Sequence, residues 1–233
     1  MEFRNVRAVI VDIEGTTSSI AFVKERLYPY ARRHLPEYVR EHASTFPDLL
    51  EEVRRIEGKA ALDTPQLIAV LLHWMDEDRK VTPLKALQGL VWKQGYESGA
   101  LRAHVYEDAV CALKQWHERG LDLYVYSSGS VAAQRLLFSH TERGDLTPLF
   151  SGYFDTTTGS KLAADSFRAI ARSIGLPAGA ALFLSDHPGE VEAAAGAGMQ
   201  ALLVDRESAA ASAEKPDRIR SFRDVELKVD KHC

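Results

Sequence analysis

Ala8-Val9-Ile10-Val11-Asp12-Ile13-Glu14-Gly15-Thr16-Thr17 joins a short, wholly apolar run to two carboxylates set two residues apart. Four consecutive apolar residues read as a strand buried on both faces, the habit of a parallel sheet. The carboxylates then fall at the strand's carboxyl end. There Asp12 and Glu14 could ligate a divalent cation, and one could attack an electrophile while the other handles protons. An acidic turn that only redirects the chain would look the same, so the stretch takes its meaning from what the rest of the chain sets beside it.

Further apolar runs at Leu121–Tyr126, Tyr153–Phe154, Ala181–Leu184 and Ala201–Val204 read as strands. Helical spacing lies between them: Val110, Leu113 and Trp116 share one face, and Phe167, Ile170, Ala171 and Ile174 share another that stops at Gly175. Strand alternating with helix predicts an α/β fold with a Rossmann-like parallel sheet, whose ligands sit beyond the carboxyl ends of the strands.

From Phe22 to Leu101 the alternation breaks. Thr64-Pro65 and Thr82-Pro83 each set a hydroxyl before a proline, and Asp48 precedes an apolar face that stops at Gly58. Leu67, Ile68, Leu71, Leu72 and Met75 follow helical period, as do Leu84, Leu87 and Val91. The expected organisation is therefore a core of residues 1–21 and 102–206, an inserted all-helical cap at 22–101, and a surface extension at 207–233 without assigned function. A helical insertion directly after a catalytic loop is placed to act as a lid.

Three more strand ends complete a pattern. Ser127-Ser128-Gly129-Ser130 precedes a helix and offers a hydroxyl and backbone N–H groups to an anion, although a serine helix cap has the same letters. Lys161, after Gly159-Ser160, could neutralise a phosphate. Asp186 ends the run Ala181–Leu184 and adds a carboxylate for a hard cation such as Mg²⁺. Glu190 reads more simply as an early helical residue favoured by the dipole, and His187 as a loop residue.

A net charge of −4 over 233 residues supplies no electrostatic attraction to nucleic acid or an anionic membrane. Cys111 and Cys233 show no pairing pattern or metal spacing, no run approaches a membrane span, and no signal segment opens the chain. A cytoplasmic monomer acting on a small molecule is expected, with neither nucleic acid nor membrane as partner.

Asp12-Ile13-Glu14-Gly15-Thr16-Thr17-Ser18, Gln88-Gly89-Leu90-Val91-Trp92-Lys93-Gln94-Gly95-Tyr96, His104-Val105-Tyr106 and Tyr126-Ser127-Ser128-Gly129-Ser130-Val131-Ala132-Ala133-Gln134 together resemble the enolase-phosphatase (acireductone synthase) family of the haloacid dehalogenase superfamily. Leu136-Leu137-Phe138, Gly144-Asp145-Leu146 and Tyr153-Phe154-Asp155-Thr156 extend the resemblance, which runs from about Val9 to Val204. The chain departs from the family at Ala163 and Phe167, where glutamate and tyrosine are expected, and at His187, where an apolar residue is usual.

The resemblance implies enolisation of 2,3-diketo-5-methylthiopentyl-1-phosphate and then cleavage of its phosphate ester, in methionine salvage. It implies Asp12 as nucleophile and Mg²⁺ ligand, and Glu14 as proton-transfer residue with its backbone carbonyl on the metal. Asp186 would complete the metal site, while Ser127, Ser128 and Lys161 would hold the phosphoryl oxygens. Other classes fit less well. A phospho-acceptor signalling module would be compact and lack the helical insertion. A metal-free dehalogenase is at odds with Glu14 and Asp186. A capped magnesium-dependent phosphatase for another small phosphate ester is the nearest alternative.

Overall fold

The computed structural model describes residues 1–206 and 218–228. In chain order the first elements are β1 (Glu2–Arg4) and β2 (Ala8–Val11). A helical series follows: α1 (Ile20–Phe22), a π-helical turn (Val23–Leu27), α2 (Tyr28–His42), α3 (Pro47–Glu57), α4 (Thr64–Asp76) and α5 (Thr82–Glu97). Alternation then resumes with α6 (Glu107–Glu118), β3 (Asp122–Tyr126), α7 (Val131–Ser139), β4 (Gly152–Phe154) and α8 (Ala164–Ser173). It ends with β5 (Ala181–Ser185), α9 (Pro188–Gly196), β6 (Gln200–Val204), β7 (Arg218–Ile219) and β8 (Glu226–Lys228). The chain divides into two units, Met1–Ile20 with the residues from Ala103 onward, and Ala21–Arg102.

The first unit is built on a six-stranded sheet in the order β4-β3-β2-β5-β6-β7, every neighbour parallel. All four residues of β2 and all five of β5 are buried, as continuous apolar runs demand when helices cover both faces. Ile10, Phe183 and Tyr126 share one face with Phe167 and Ile170 of α8, the helix whose apolar spacing the sequence shows. From β2 the chain moves to β3 and β4 on one side, then crosses to β5 and β6 on the other. Strand order therefore reverses at β2, and the crevice that such a reversal opens lies at the strands' carboxyl ends. Val11 pairs with both Val125 and Leu184, so Asp12 emerges level with the ends of β3 and β5.

The second unit, all helical, packs its own core. Leu67, Leu71, Trp74, Leu87 and Val91 are fully buried there, each side chain contributing about 1.5–3 kcal/mol from burial. Gly58 ends α3 at φ +67°, a left-handed conformation that glycine adopts without steric cost. The helix starts differ in detail from the sequence reading. Asp63, not Thr64, caps α4, in a reciprocal box with Gln66. Neither Thr82 nor Asp48 caps a helix, because Thr82 and Asp48 already lie inside the first turns that begin with Thr82 and Pro47. Proline at the opening of each helix was the sounder signal.

Two corrections concern the ends of the chain. A strand, β1, precedes the run at Ala8, although Glu2–Arg4 carry no apolar run to mark it. The expected surface extension at 207–233 is, over its described part, structural: β7 adds an edge strand beside β6, and β8 pairs in parallel with β1. Between them Phe222 is buried and stacks on Trp116 with ring centroids 5.6 Å apart. Ile219, Phe222, Val225 and Leu227 are all buried. Those four apolar residues, spaced two or three apart among charges, were the overlooked signal. Residues 207–217 and 229–233, Cys233 among them, lie outside the described residues. Cys111 is exposed and unpaired. Among the described residues no helix is long and apolar enough to cross a membrane.

Candidate active site

Asp12 leaves β2 with its amide still tied to the Leu184 carbonyl of β5, 2.9 Å away. The chain then turns sharply: the amides of Thr16, Thr17 and Ser18 all donate to the Ile13 carbonyl, and Gly15 donates to the Ser18 carbonyl. Gly15 has φ +72°, and a Cβ there would stand 2.1 Å from Asp186 Oδ2. Only glycine lets the Asp186 carboxylate lie against this turn. Thr16 links the two acids directly. Its hydroxyl donates to Asp12 Oδ2 at 3.2 Å and accepts the Asp186 amide at 2.9 Å.

Lys161 reaches the same place from the loop after β4. Its ammonium donates to Asp12 Oδ1 and pairs with Glu190 Oε2 at 2.7 Å. Ser185 donates to that Glu190 oxygen at 2.7 Å. Glu190 is therefore no mere helical residue of α9: it shares the lysine with Asp12. The missed signal was its spacing, since one helical turn after Asp186 returns a side chain toward the strand end. The lysine loop is held by Tyr126, whose hydroxyl donates to the Gly159 carbonyl at 3.0 Å. Gly159 has φ +140°, and a Cβ there would come 2.3 Å from Ser166 Oγ.

The charges explain one another. Burial tends to lower the Lys161 pKa, but the carboxylates of Asp12 and Glu190 overcome it and hold the ammonium above its ordinary value. Burial pushes the Asp12 carboxyl up; the lysine opposes that rise and Glu190 adds to it. Asp186 is pushed up to about 6, by burial first and then by the charges of Asp12 and Glu190. Two carboxylates facing one another, with one of them lacking full compensation, is a set that a hard divalent cation would relieve. Among the described residues no three His, Cys, Asp or Glu side chains cluster for a metal. A cation on Asp12 and Asp186 would therefore complete its shell with backbone carbonyl, phosphate and water oxygens, as magnesium commonly does.

The serine loop follows β3. Ser127 is buried, its amide donating to the Phe154 carbonyl at 3.2 Å and its hydroxyl lying 3.4 Å from the Gly129 amide. Ser128 is exposed. The helix cap is Ser130, which accepts from Ala133, so Ser127 and Ser128 are not committed to capping. Gln134 pins the loop by donating to the Gly129 and Phe154 carbonyls at 2.7 and 2.8 Å. Asp12, Lys161 and Asp186 are thus brought together, and Ser127 stands at the end of the neighbouring strand. The Glu14 side chain is exposed on the turn, outside that buried cluster. His187 precedes α9, its amide donating to Ser185 Oγ at 3.1 Å.

Comparison with known proteins bears on this arrangement. Residues 6–198 match the model of the haloacid dehalogenase-like hydrolase family. Enolase-phosphatase E1 of Pseudomonas aeruginosa (strain UCBPP-PA14) is 54% identical over 94% of this chain and 98% of its own. The chain belongs to the enolase-phosphatase family of haloacid dehalogenase-like hydrolases. Among solved structures, the UTR4 protein of Saccharomyces cerevisiae superposes with a TM-score of 0.79 at 36% identity, over 93% of this chain and 98% of that one. L-2-haloacid dehalogenase of Xanthobacter autotrophicus, at 17% identity and a TM-score of 0.56 over 94% of this chain and 96% of that one, shares the fold alone.

Membership places the chain among phosphatase enzymes. Gln88–Tyr96 is a packing motif of the helical unit. Gln88, Val91 and Tyr96 are buried, Trp92 donates its indole N–H to the Leu27 carbonyl at 2.9 Å, and a Cβ at Gly95 would strike the Tyr30 ring at 2.6 Å.

Proposed function

We propose that this member of the enolase-phosphatase family converts 2,3-diketo-5-methylthiopentyl-1-phosphate into the acireductone 1,2-dihydroxy-3-keto-5-methylthiopentene and inorganic phosphate, as a cytoplasmic monomer serving methionine salvage. The observation that carries the chemistry is the buried Asp12 carboxylate, oriented at one oxygen by Thr16 and at the other by Lys161. A carboxylate so fixed presents a nucleophile of defined direction, and the ammonium beside it offsets its repulsion from a phosphate dianion.

In this reading Asp12 attacks phosphorus of the enol phosphate, forming an aspartyl-phosphate as the ester P–O bond breaks. Glu14, exposed at the turn, protonates the departing oxygen and then takes a proton from the water that hydrolyses the intermediate, regenerating Asp12. Lys161, Ser127, Ser128 and the amides of their loop hold the phosphoryl oxygens. Asp12, Asp186 and the Glu14 carbonyl would hold Mg²⁺, which when bound supplies positive charge against the acids and the phosphate.

Anaerobic turnover of the diketo phosphate, followed optically, is expected to show an enol that precedes phosphate release. Phosphate appearing with no enol would leave a phosphatase and remove the enolisation step. Exhaustive treatment with EDTA should silence the enzyme and added magnesium restore it; undiminished turnover after chelation would remove the metal from the scheme.

A further inference from the structure

We propose that Arg206 is a positioning residue for the nucleophile loop, bracing it from the segment that follows β6. Arg206 Nε donates to the Thr16 carbonyl at 2.7 Å. Thr16 is the residue whose hydroxyl bonds both Asp12 Oδ2 and the Asp186 amide, so one peptide governs the direction of two acids. The guanidinium is itself held from several sides. One terminal nitrogen meets both oxygens of Asp108 at 3.0 and 3.1 Å, and the plane lies 4.0 Å from the Tyr106 ring centroid and 5.2 Å from that of Phe222. Tyr106 also donates its amide to the Thr17 carbonyl at 2.9 Å. Asp108 in turn accepts from Ser221 Oγ and the Phe222 amide, both at 2.8 Å.

The side chains of Arg206 and Asp108 are only 9% and 14% exposed. Burying an ion pair is a poor way to stabilise a fold, because desolvation consumes most of the attraction and an apolar pair of similar volume does as well. An apolar pair could not donate to the Thr16 carbonyl. Lysine carries its donors on one nitrogen, so it could not reproduce contacts made from two separate nitrogens, Nε to the Thr16 carbonyl and a terminal nitrogen to Asp108, nor lay a plane over Tyr106. The arrangement is therefore matched to holding a backbone carbonyl in place beside the acids.

The proposal rests on Asp12 being the nucleophile, and the test separates the two. Arg206→Lys, assayed with the diketo phosphate and magnesium, is expected to lower kcat by about tenfold to a hundredfold, the scale of a small misplacement of a reacting group. The KM and the inhibition constant for inorganic phosphate should stay within about threefold, and circular dichroism should report a folded protein. Asp108→Asn, which keeps an acceptor for Ser221 and Phe222, should show the same split with a smaller loss, and the double variant should be no worse than Arg206→Lys alone. A kcat within about twofold of wild type in either folded single variant would overturn the brace, as would losses that simply track the folded fraction. Should Arg206→Lys fail to fold, Asp108→Asn decides by the same criterion. Full turnover by Asp12→Asn would instead sink the reading of the site itself.

Discussion

The sheet-end cluster and the helical unit are specified in opposite ways. Around Asp12 the participants come from positions 12, 16, 126, 161, 186 and 190, and parallel register brings them together. Each is polar, several are buried, and each is tied through its side chain or backbone to a partner in a distant stretch of sequence. In the helical unit the determinants are apolar residues at helical period, packed on neighbours within the same 82-residue stretch, Ala21–Arg102. The contrast teaches that a substitution near Asp12 should be felt in chemistry, whereas one in the bundle core should be felt in stability.

The sharpest way to break that contrast is Asp12→Asn. An amide is a poor nucleophile, so phosphate release should fall by about 10⁴-fold or more with the melting temperature changed little. A normal burst of phosphorylated enzyme in that variant would refute it. Gly15→Ala comes next. Its methyl would meet the Asp186 carboxylate in a backbone conformation disfavoured for alanine, so kcat should drop by about a hundredfold; near-normal kcat would show that the turn has room. Leu87→Ala, at a fully buried bundle position, should cost about 2–5 kcal/mol in denaturant unfolding, with no direct effect on nucleophilic attack. Unchanged stability there would show that the bundle core is not the unit's support.

The smallest effect concerns acidity. Burial raises Asp108, yet the Phe222 amide, Ser221 and Arg206 more than offset it and hold the carboxyl below its ordinary value. A carboxylate so depressed contributes stability that is present above its unfolded pKa near 3.8, and it is lost as pH falls through the still lower folded value. Wild-type protein should thus lose stability on acidification below about pH 4 more steeply than Asp108→Asn does. Parallel curves would mean that Asp108 gains nothing from its partners.

Much of this was legible in the chain. Apolar runs marked β2, β3, β4, β5 and β6, most clearly β2 and β5, which are buried throughout and need no periodicity to be visible. Asp12, Lys161 and Asp186 were legible because each follows such a run or its loop. Glu190 and Thr16 were harder. Their roles depend on which lone pair or ammonium faces them, and an early helical glutamate or a turn threonine has the same letters whether or not such a partner exists. Arg206 and the elements β7 and β8 were obscured by the charged residues around them, where short runs of one or two apolar side chains carry little signal until their partners are known. The helix caps misplaced by one or two residues show the ordinary ambiguity of Thr-Pro and Asp near a helix start, where capping and first-turn preferences overlap.

One pairing has a consequence for how the molecule is made. Among the described residues β1 is hydrogen-bonded to β8 and to no other strand. During synthesis Glu2–Arg4 emerge long before Glu226–Lys228, and must wait for those residues to be translated before their small sheet can close. The large sheet can assemble around β2 before then. The pairing of β1 with β8 is therefore a late, long-range event, and a nascent chain halted before Glu226 would carry β1 without this partner, open to pairing with a neighbour.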